Sequence, residues 1–137
     1  GVSSISSNNV WAVGDSGHVL HYDGNSWIDS TIAGFLHIYS ITTLNANNIW
    51  VVGQDSVTLN NIAYYNGSGW SFTNIGSNTR LDGVSSFDVN NVWAVGDSGK
   101  ILKYNGAAWA SQNSNASGEN LSKKRATTGL SCRSCRL

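Results

Sequence analysis

One ten-residue segment occurs twice without a change. Asn8 to Gly17 and Asn90 to Gly99 both read NNVWAVGDSG. A diverged copy lies between them, NNIWVVGQDS from Asn47 to Ser56. Tandem copies restrict a chain to architectures that stack one small unit on the next. The first Trp of each copy is Trp11, Trp50 or Trp93, at spacings of 39 and 43 residues. A second Trp follows at Trp27, Trp70 and Trp109, at spacings of 43 and 39. All six Trp therefore belong to one scheme with a mean period of 41 residues.

Each unit divides into four short strand signals. The first is Val2–Ile5, matched by Val84–Phe87 and by Ile38–Ile41. An Asn-Asn pair follows, which suits a turn because Asn tolerates left-handed backbone and bonds its own main chain. The second signal is Val10–Val13, Ile49–Val52 or Val92–Val95, apolar at every position. A strand covered on both faces has that pattern, whereas a half-solvated strand alternates. Gly-Asp-Ser-Gly then predicts a tight hairpin loop. The third signal is Val19–Tyr22 or Ile101–Tyr104. Asp23-Gly24, Asn66-Gly67 and Asn105-Gly106 come next, a hairpin signal read here as two central residues of positive φ. The fourth strand opens at the second Trp. Unit two has four extra residues between its two Trp, which predicts an enlarged loop or bulge around Asp55–Asn61.

Four antiparallel strands per period of about 40–45 residues define a β-propeller blade. The expectation is an all-β, propeller-like fold with three four-stranded antiparallel blades, at about 1–36, 37–81 and 82–113. The absence of Pro and the richness in Gly, Asn and Ser agree with short strands and tight turns. Residues 114–137 break the pattern and read as a basic, low-hydrophobicity tail.

The run NNVWAVGDSGHVLHYDGNSW resembles the repeat of bacterial propellers of the BNR and photosystem-II-assembly-factor-like type. The resemblance covers residues 1 to about 113 and implies the propeller fold. It implies a structural role for the Asp-box remnant Asp23–Trp27. That remnant sets its Gly one place early, and Asn66 and Asn105 replace the Asp in the other units. Sialidases share this fold, but their chemistry requires an arginine cluster, a Tyr nucleophile and an acidic partner. Residues 1–113 contain one Arg, Arg80, and no Glu; Glu119 lies in the tail.

Three blades do not close a ring of four to eight. Two readings stay open: a segment of a longer array, or copies that self-associate, two copies making six blades. Blade faces left bare at either end favour association. No leader of basic then apolar residues opens the chain, so no signal peptide is expected within it. No apolar run is long enough for a membrane-spanning helix.

Residues 1–121 carry three basic and eight acidic side chains, and residues 122–137 carry five basic and none acidic. The acidic body excludes a phosphate backbone as partner. His18 and His21 stand three apart, point to opposite faces of a strand, and read as solvent-facing. Asp15 and Asp97 recur at one turn position and read as turn chemistry. Cys132-x-x-Cys135 has no second pair, so it reads as incidental thiols and not as a metal site. No cofactor, metal or catalytic set is expected.

The first functional expectation is a non-enzymatic binding or scaffolding module with a protein or glycan ligand, placed extracellularly or in the cell envelope. The second is a lectin-like module. Its ligand-binding residues would be Trp27, Trp70 and Trp109 at the outer strands, with Tyr22 and Tyr104. Trp11, Trp50 and Trp93 read as blade core. The third is a fragment of a larger propeller enzyme, such as a glycosidase, completed by further blades.

Overall fold

Each copy of the repeat folds into its own four-stranded antiparallel meander in the computed structural model, which describes residues 1–113 except Leu36 and Ser56. The first sheet runs β1 (Val2–Ser6), β2 (Asn9–Val13), β3 (Val19–Tyr22) and β4 (Trp27–Asp29). The second runs β5 (His37–Asn45), β6 (Asn48–Gln54), β7 (Asn60–Tyr65) and β8 (Trp70–Asn74). The third runs β9 (Leu81–Asp88), β10 (Asn91–Gly96), β11 (Ile101–Tyr104) and β12 (Trp109–Gln112). In every sheet the strands lie side by side in chain order. The readings of the tail, of Glu119 and of Cys132 and Cys135 lie outside the described residues.

Register identifies equivalent positions across the blades. Ala12 pairs with Val2, Val51 with Ile41 and Ala94 with Val84. The partner of Val2–Ile5 in the second blade is therefore Ile41–Leu44, not Ile38–Ile41. The error arises because β5 is nine residues long and starts at His37, so its apolar opening imitates the shorter strands.

The first strands of neighbouring blades meet through a ladder of hydroxyl groups. Ser3 Oγ lies 2.7 Å from Thr43 Oγ1, and Thr42 Oγ1 lies 2.8 Å from Ser86 Oγ. Ser3 and Thr42 are equivalent, as are Thr43 and Ser86. One polar bond is thus made twice, at both blade junctions.

Between the sheets lie two apolar layers. Trp11, Val13 and Val19 of blade 1 face Ile41, Ile49, Val51 and Ala63 of blade 2. Val52 and Ile62 of blade 2 face Leu81, Ala94 and Leu102 of blade 3. The expectation that every second strand is covered on both faces holds for β6, whose residues Ile49 to Gly53 are all buried. In β2 and β10 buried and less buried residues alternate, and Trp93 is 41% exposed. Among the described residues the middle blade alone has neighbours on both sides, so identical sequence meets different surroundings.

The turns divide the two predicted roles differently from the sequence reading. The consecutive left-handed pair falls in the Gly-Asp-Ser-Gly loop, at Ser16 (φ 57°) with Gly17 (φ 70°) and at Ser98 (φ 58°) with Gly99 (φ 70°). This is the mirror-image turn that matches strand twist. In the second hairpin only Gly24, Gly67 and Gly106 have positive φ. Those loops are longer: the Asp23 N–H donates to the Ser26 carbonyl, and Asn66 and Asn105 do the same with Gly69 and Ala108. The side chain caps the loop. Asp23 Oδ1 accepts from the Asn25 and Ser26 N–H groups at 2.8 Å each, Asn66 Oδ1 from Ser68 and Gly69, and Asn105 Oδ1 from Ala107 and Ala108. Asp and Asn interchange here because one acceptor oxygen is all the loop requires. The expected enlarged loop or bulge is present in both forms: β6 ends at Gln54 and β7 begins at Asn60, and the β7–β8 register shifts between Asn60 and Ile62.

The backbone N–H groups of Ser26 and then Asn25 hold the Asp23 carboxyl below the usual carboxylate range. A carboxyl depressed in the folded state stabilises above its unfolded pKa, and that contribution is lost as pH falls through the folded value. Asp23→Asn is expected to leave the urea midpoint at neutral pH nearly unchanged and to weaken the acid sensitivity below about pH 4. Urea titrations at pH 7 and pH 3 check this; an equal drop at both pH values would refute the capping role.

Candidate functional site

Every blade carries the same two faces. The leading face bears the first Trp of the repeat and its cross-strand neighbour: Trp11 with His21, Trp50 with Tyr64, Trp93 with Lys103. The neighbour covers the indole in each case. The rings of Trp11 and His21 stack at 4.1 Å, those of Trp50 and Tyr64 at 4.9 Å, and Lys103 Nζ sits 5.3 Å above Trp93. The trailing face bears a Tyr–Trp pair: Tyr22 with Trp27, Tyr65 with Trp70, Tyr104 with Trp109. These rings tilt at 5.2–5.4 Å in all three blades.

Where a leading face meets a trailing face, a groove opens toward the outer strands. The groove between blades 2 and 3 encloses about 540 Å³. Its aromatic walls are Trp50 and Tyr64 from one blade and Tyr104 and Trp109 from the next, and Lys100 is the one charged lining residue among those described. Ser71, Thr73, Asn74 and Ser111 add hydroxyl and amide groups. The groove between blades 1 and 2, lined by Asp29, Thr31, Tyr65 and Trp70, is more open.

Hydrogen bonds fix the rings. The Tyr64 hydroxyl donates to Asn48 Oδ1 at 2.6 Å, and Tyr104 donates to the Gly106 carbonyl at 3.0 Å. Burial, with a smaller contribution from Tyr104, pushes the Tyr64 phenol above its ordinary range, so it remains a neutral donor. Among the described residues the lining has no carboxylate, imidazole or thiol. Those residues offer apolar contact, hydrogen bonding and one cation.

The structure separates the five predicted site residues. Tyr104 and Trp109 line the enclosed groove, and Trp70 lines the open one. Tyr22 and Trp27 lie apart on the trailing face of blade 1, where Trp27 is 52% exposed. Trp70 and Trp109 are half-buried between blades rather than exposed, because the preceding leading face covers them. Trp11 and Trp50 are core, as expected, at 3% and 2% exposure, while Trp93, at 41%, is not. His18 is exposed, but His21 is half-buried under Trp11 and within 3.0 Å of Asn9 Oδ1, which corrects its reading as solvent-facing. Tyr64 and Lys100 were missed. The usable signal for Tyr64 was its place opposite the repeated Trp, where His21 and Lys103 stand in the other blades.

Asp15, read as turn chemistry, does occupy the β2–β3 turn and also bonds His37 Nδ1 at 2.9 Å. Arg80 contacts Asp82 at 2.5 Å and lies over the Tyr39 ring. No group of three or more potential metal ligands occurs among the described residues. No helix among them is long and apolar enough to cross a membrane.

Three meander sheets joined through aromatic layers define an arc of β-propeller blades. No protein-family profile and no curated protein matches the sequence. Among solved structures the chain is similar to one described as YCF48 bound to D1 peptide, at 16% identity and a TM-score of 0.62. The likeness covers 81% of this chain and 38% of that one, so this chain spans well under half of the other's length. At that identity the likeness establishes the fold, and it agrees with the propeller expected from the repeat.

Proposed function

We propose that this chain is a non-enzymatic binding module that takes an extended peptide in the groove between blades 2 and 3. The observation that carries the reading is the composition of that groove: four aromatic rings, a rim of hydroxyls and amides, and Lys100 as the one charged lining residue among those described. A sugar ring stacks on a flat, open indole face. Here the Trp50 face is covered by Tyr64, and Trp109 leans on Tyr104. Lys100 suits a carboxylate, such as a peptide C-terminus or an acidic side chain. The solved YCF48 structure, a propeller bound to a peptide, supports the same use of the fold. An extracellular or envelope setting, proposed from the Asn- and Ser-rich, Lys- and Glu-poor composition, accompanies this reading.

The test is a library of ten-residue peptides with free C-termini, held through their N-termini, followed by titration of the best binder. Lys100→Ala and C-terminal amidation are each expected to weaken it about tenfold, or about 1.4 kcal/mol. No peptide bound, or binding indifferent to Lys100→Ala and to a groove-filling Ser111→Trp, would overturn the proposal. Binding on a glycan array alone would install the lectin-like reading in its place.

A further inference from the structure

We infer that the peptide in the groove between blades 2 and 3 lies along the strands with its C-terminal carboxylate at Lys100, and that the fourth residue before its last carries a large apolar side chain seated at the aromatic rings. The inference rests on the peptide reading above and adds the ligand's direction, register and sequence preference.

Strand pairing arranges the lining in layers. Trp50, Tyr64 and Ser71 form one row across blade 2, and Tyr104 with Trp109 forms a row on blade 3. Trp50 lies 6.4 Å from Tyr104, so the two rows make a single aromatic layer. The next layer holds Thr73, paired with Ile62, and Ser111, paired with Leu102; Ile62 and Leu102 belong to one apolar cluster. Asn74 and Lys100 follow, Lys100 standing two residues before Leu102. Past the aromatic layer, in the opposite direction, the lining is Ala107 and Ala108 of the β11–β12 loop. The groove is thus graded from methyl groups through aromatic rings and hydroxyls to a cation.

This grading fixes the register. A strand rises about 3.3 Å per residue, so the span from Lys100 to Tyr104 is about 13 Å. An extended ligand covers that span in four residues and turns every second side chain to the same wall. The enlarged β6–β7 connection stands at the cationic end, where its Thr58 carbonyl accepts from Asn74 Nδ2 at 3.1 Å. A chain entering from the alanine end stops there and presents its terminal carboxylate to Lys100. The fourth residue before the last then meets Tyr104 and Trp109. That place is apolar: Tyr64 covers the Trp50 face, and the Tyr64 and Tyr104 hydroxyls are turned to Asn48 Oδ1 and the Gly106 carbonyl. An apolar side chain there gains burial without displacing a hydrogen bond.

Both ends of the grading are places where blade 3 departs from the other units. The equivalents of Lys100 are His18 and Asn61, which bond Thr31 and Thr79. The equivalents of Ala107-Ala108 are Asn25-Ser26 and Ser68-Gly69. The repeat accounts for Tyr104 and Trp109, which every blade has. It does not account for a cation at one end of their groove and two methyl groups at the other.

The experiment uses the full chain and the best ten-residue binder with a free C-terminus, read by fluorescence anisotropy. Placing Ala at the fourth residue before the last is expected to weaken binding about tenfold, and placing it at the seventh less than twofold. Ala108→Asp is expected to weaken the apolar peptide about tenfold and to favour one with Lys at that place. Blade 1 has Ser26 there, so a polar residue is compatible with the loop, and native Trp fluorescence checks it. Lys100→Ala is expected to abolish the distinction between free and amidated C-termini while keeping the apolar preference. A binder indifferent at the fourth place, a preference there for Lys or Arg in the unaltered chain, or full binding by an amidated peptide with an internal acid would each overturn the inference and leave the peptide reading standing. Binding by no peptide at all would remove that reading and the inference with it.

Discussion

Gly96→Ala is expected to destabilise the protein by about 3 kcal/mol or more, while Gly14→Ala, in an identical ten-residue segment, changes stability by less than about 0.5 kcal/mol. Neither glycine has the left-handed backbone that would itself demand glycine. The difference is one of space. A Cβ at Gly96 would overlap the Arg80 carbonyl oxygen and stand 2.9 Å from Leu81 Cα. Those atoms are backbone held in the β9–β10 ladder and in the bond from the Asp97 N–H to the Arg80 carbonyl, so they have no rotamer by which to yield. Gly53 has the same conflict with the His37 carbonyl. At Gly14 nothing lies within 4 Å of the new carbon. Urea midpoints of the two variants check this. Equal losses at Gly14 and Gly96 would show that the glycine serves local backbone freedom and not the close approach of the first strand.

That pair of variants marks the limit of what the sequence discloses. The repeat, the number of strands per unit and the aromatic layers are legible because each copy must present the same faces to a neighbour. Periodicity of Trp and Tyr reports that need directly. What periodicity does not report is whether a neighbour exists. Trp11 and Trp93 occupy identical segments, yet one is buried and the other exposed, because burial belongs to the junction and not to the residue. The registration error in β5 has a related origin. Its extra residues at His37–Ser40 reach toward the β2–β3 turn, where His37 bridges to Asp15, and they imitate the apolar start of the other first strands. The groove was half legible. Tyr104 and Trp109 follow from the repeat, but Tyr64 and Lys100 stand at positions where the units differ, and a repeat-based reading passes over differences.

Trp50→Ala is expected to cost about 3–5 kcal/mol, in line with loss of a buried aromatic side chain from a core. Trp50 is 2% exposed, stacks on Tyr64 and lies 6.4 Å from Tyr104 of the next blade, so its removal leaves an unfilled space that two blades share. The losses include the indole's transfer out of water and the ring contacts across the junction. Trp11→Ala falls in the same range, since its ring is covered by His21, Tyr65 and Trp70. Trp93→Ala behaves differently. Its cost is expected to stay below about 1.5 kcal/mol, because the side chain is 41% exposed, with Lys103 over its ring. Urea titrations of the three variants separate the cases. If Trp93→Ala cost as much as Trp50→Ala, packing at a blade junction would not account for the difference between the copies.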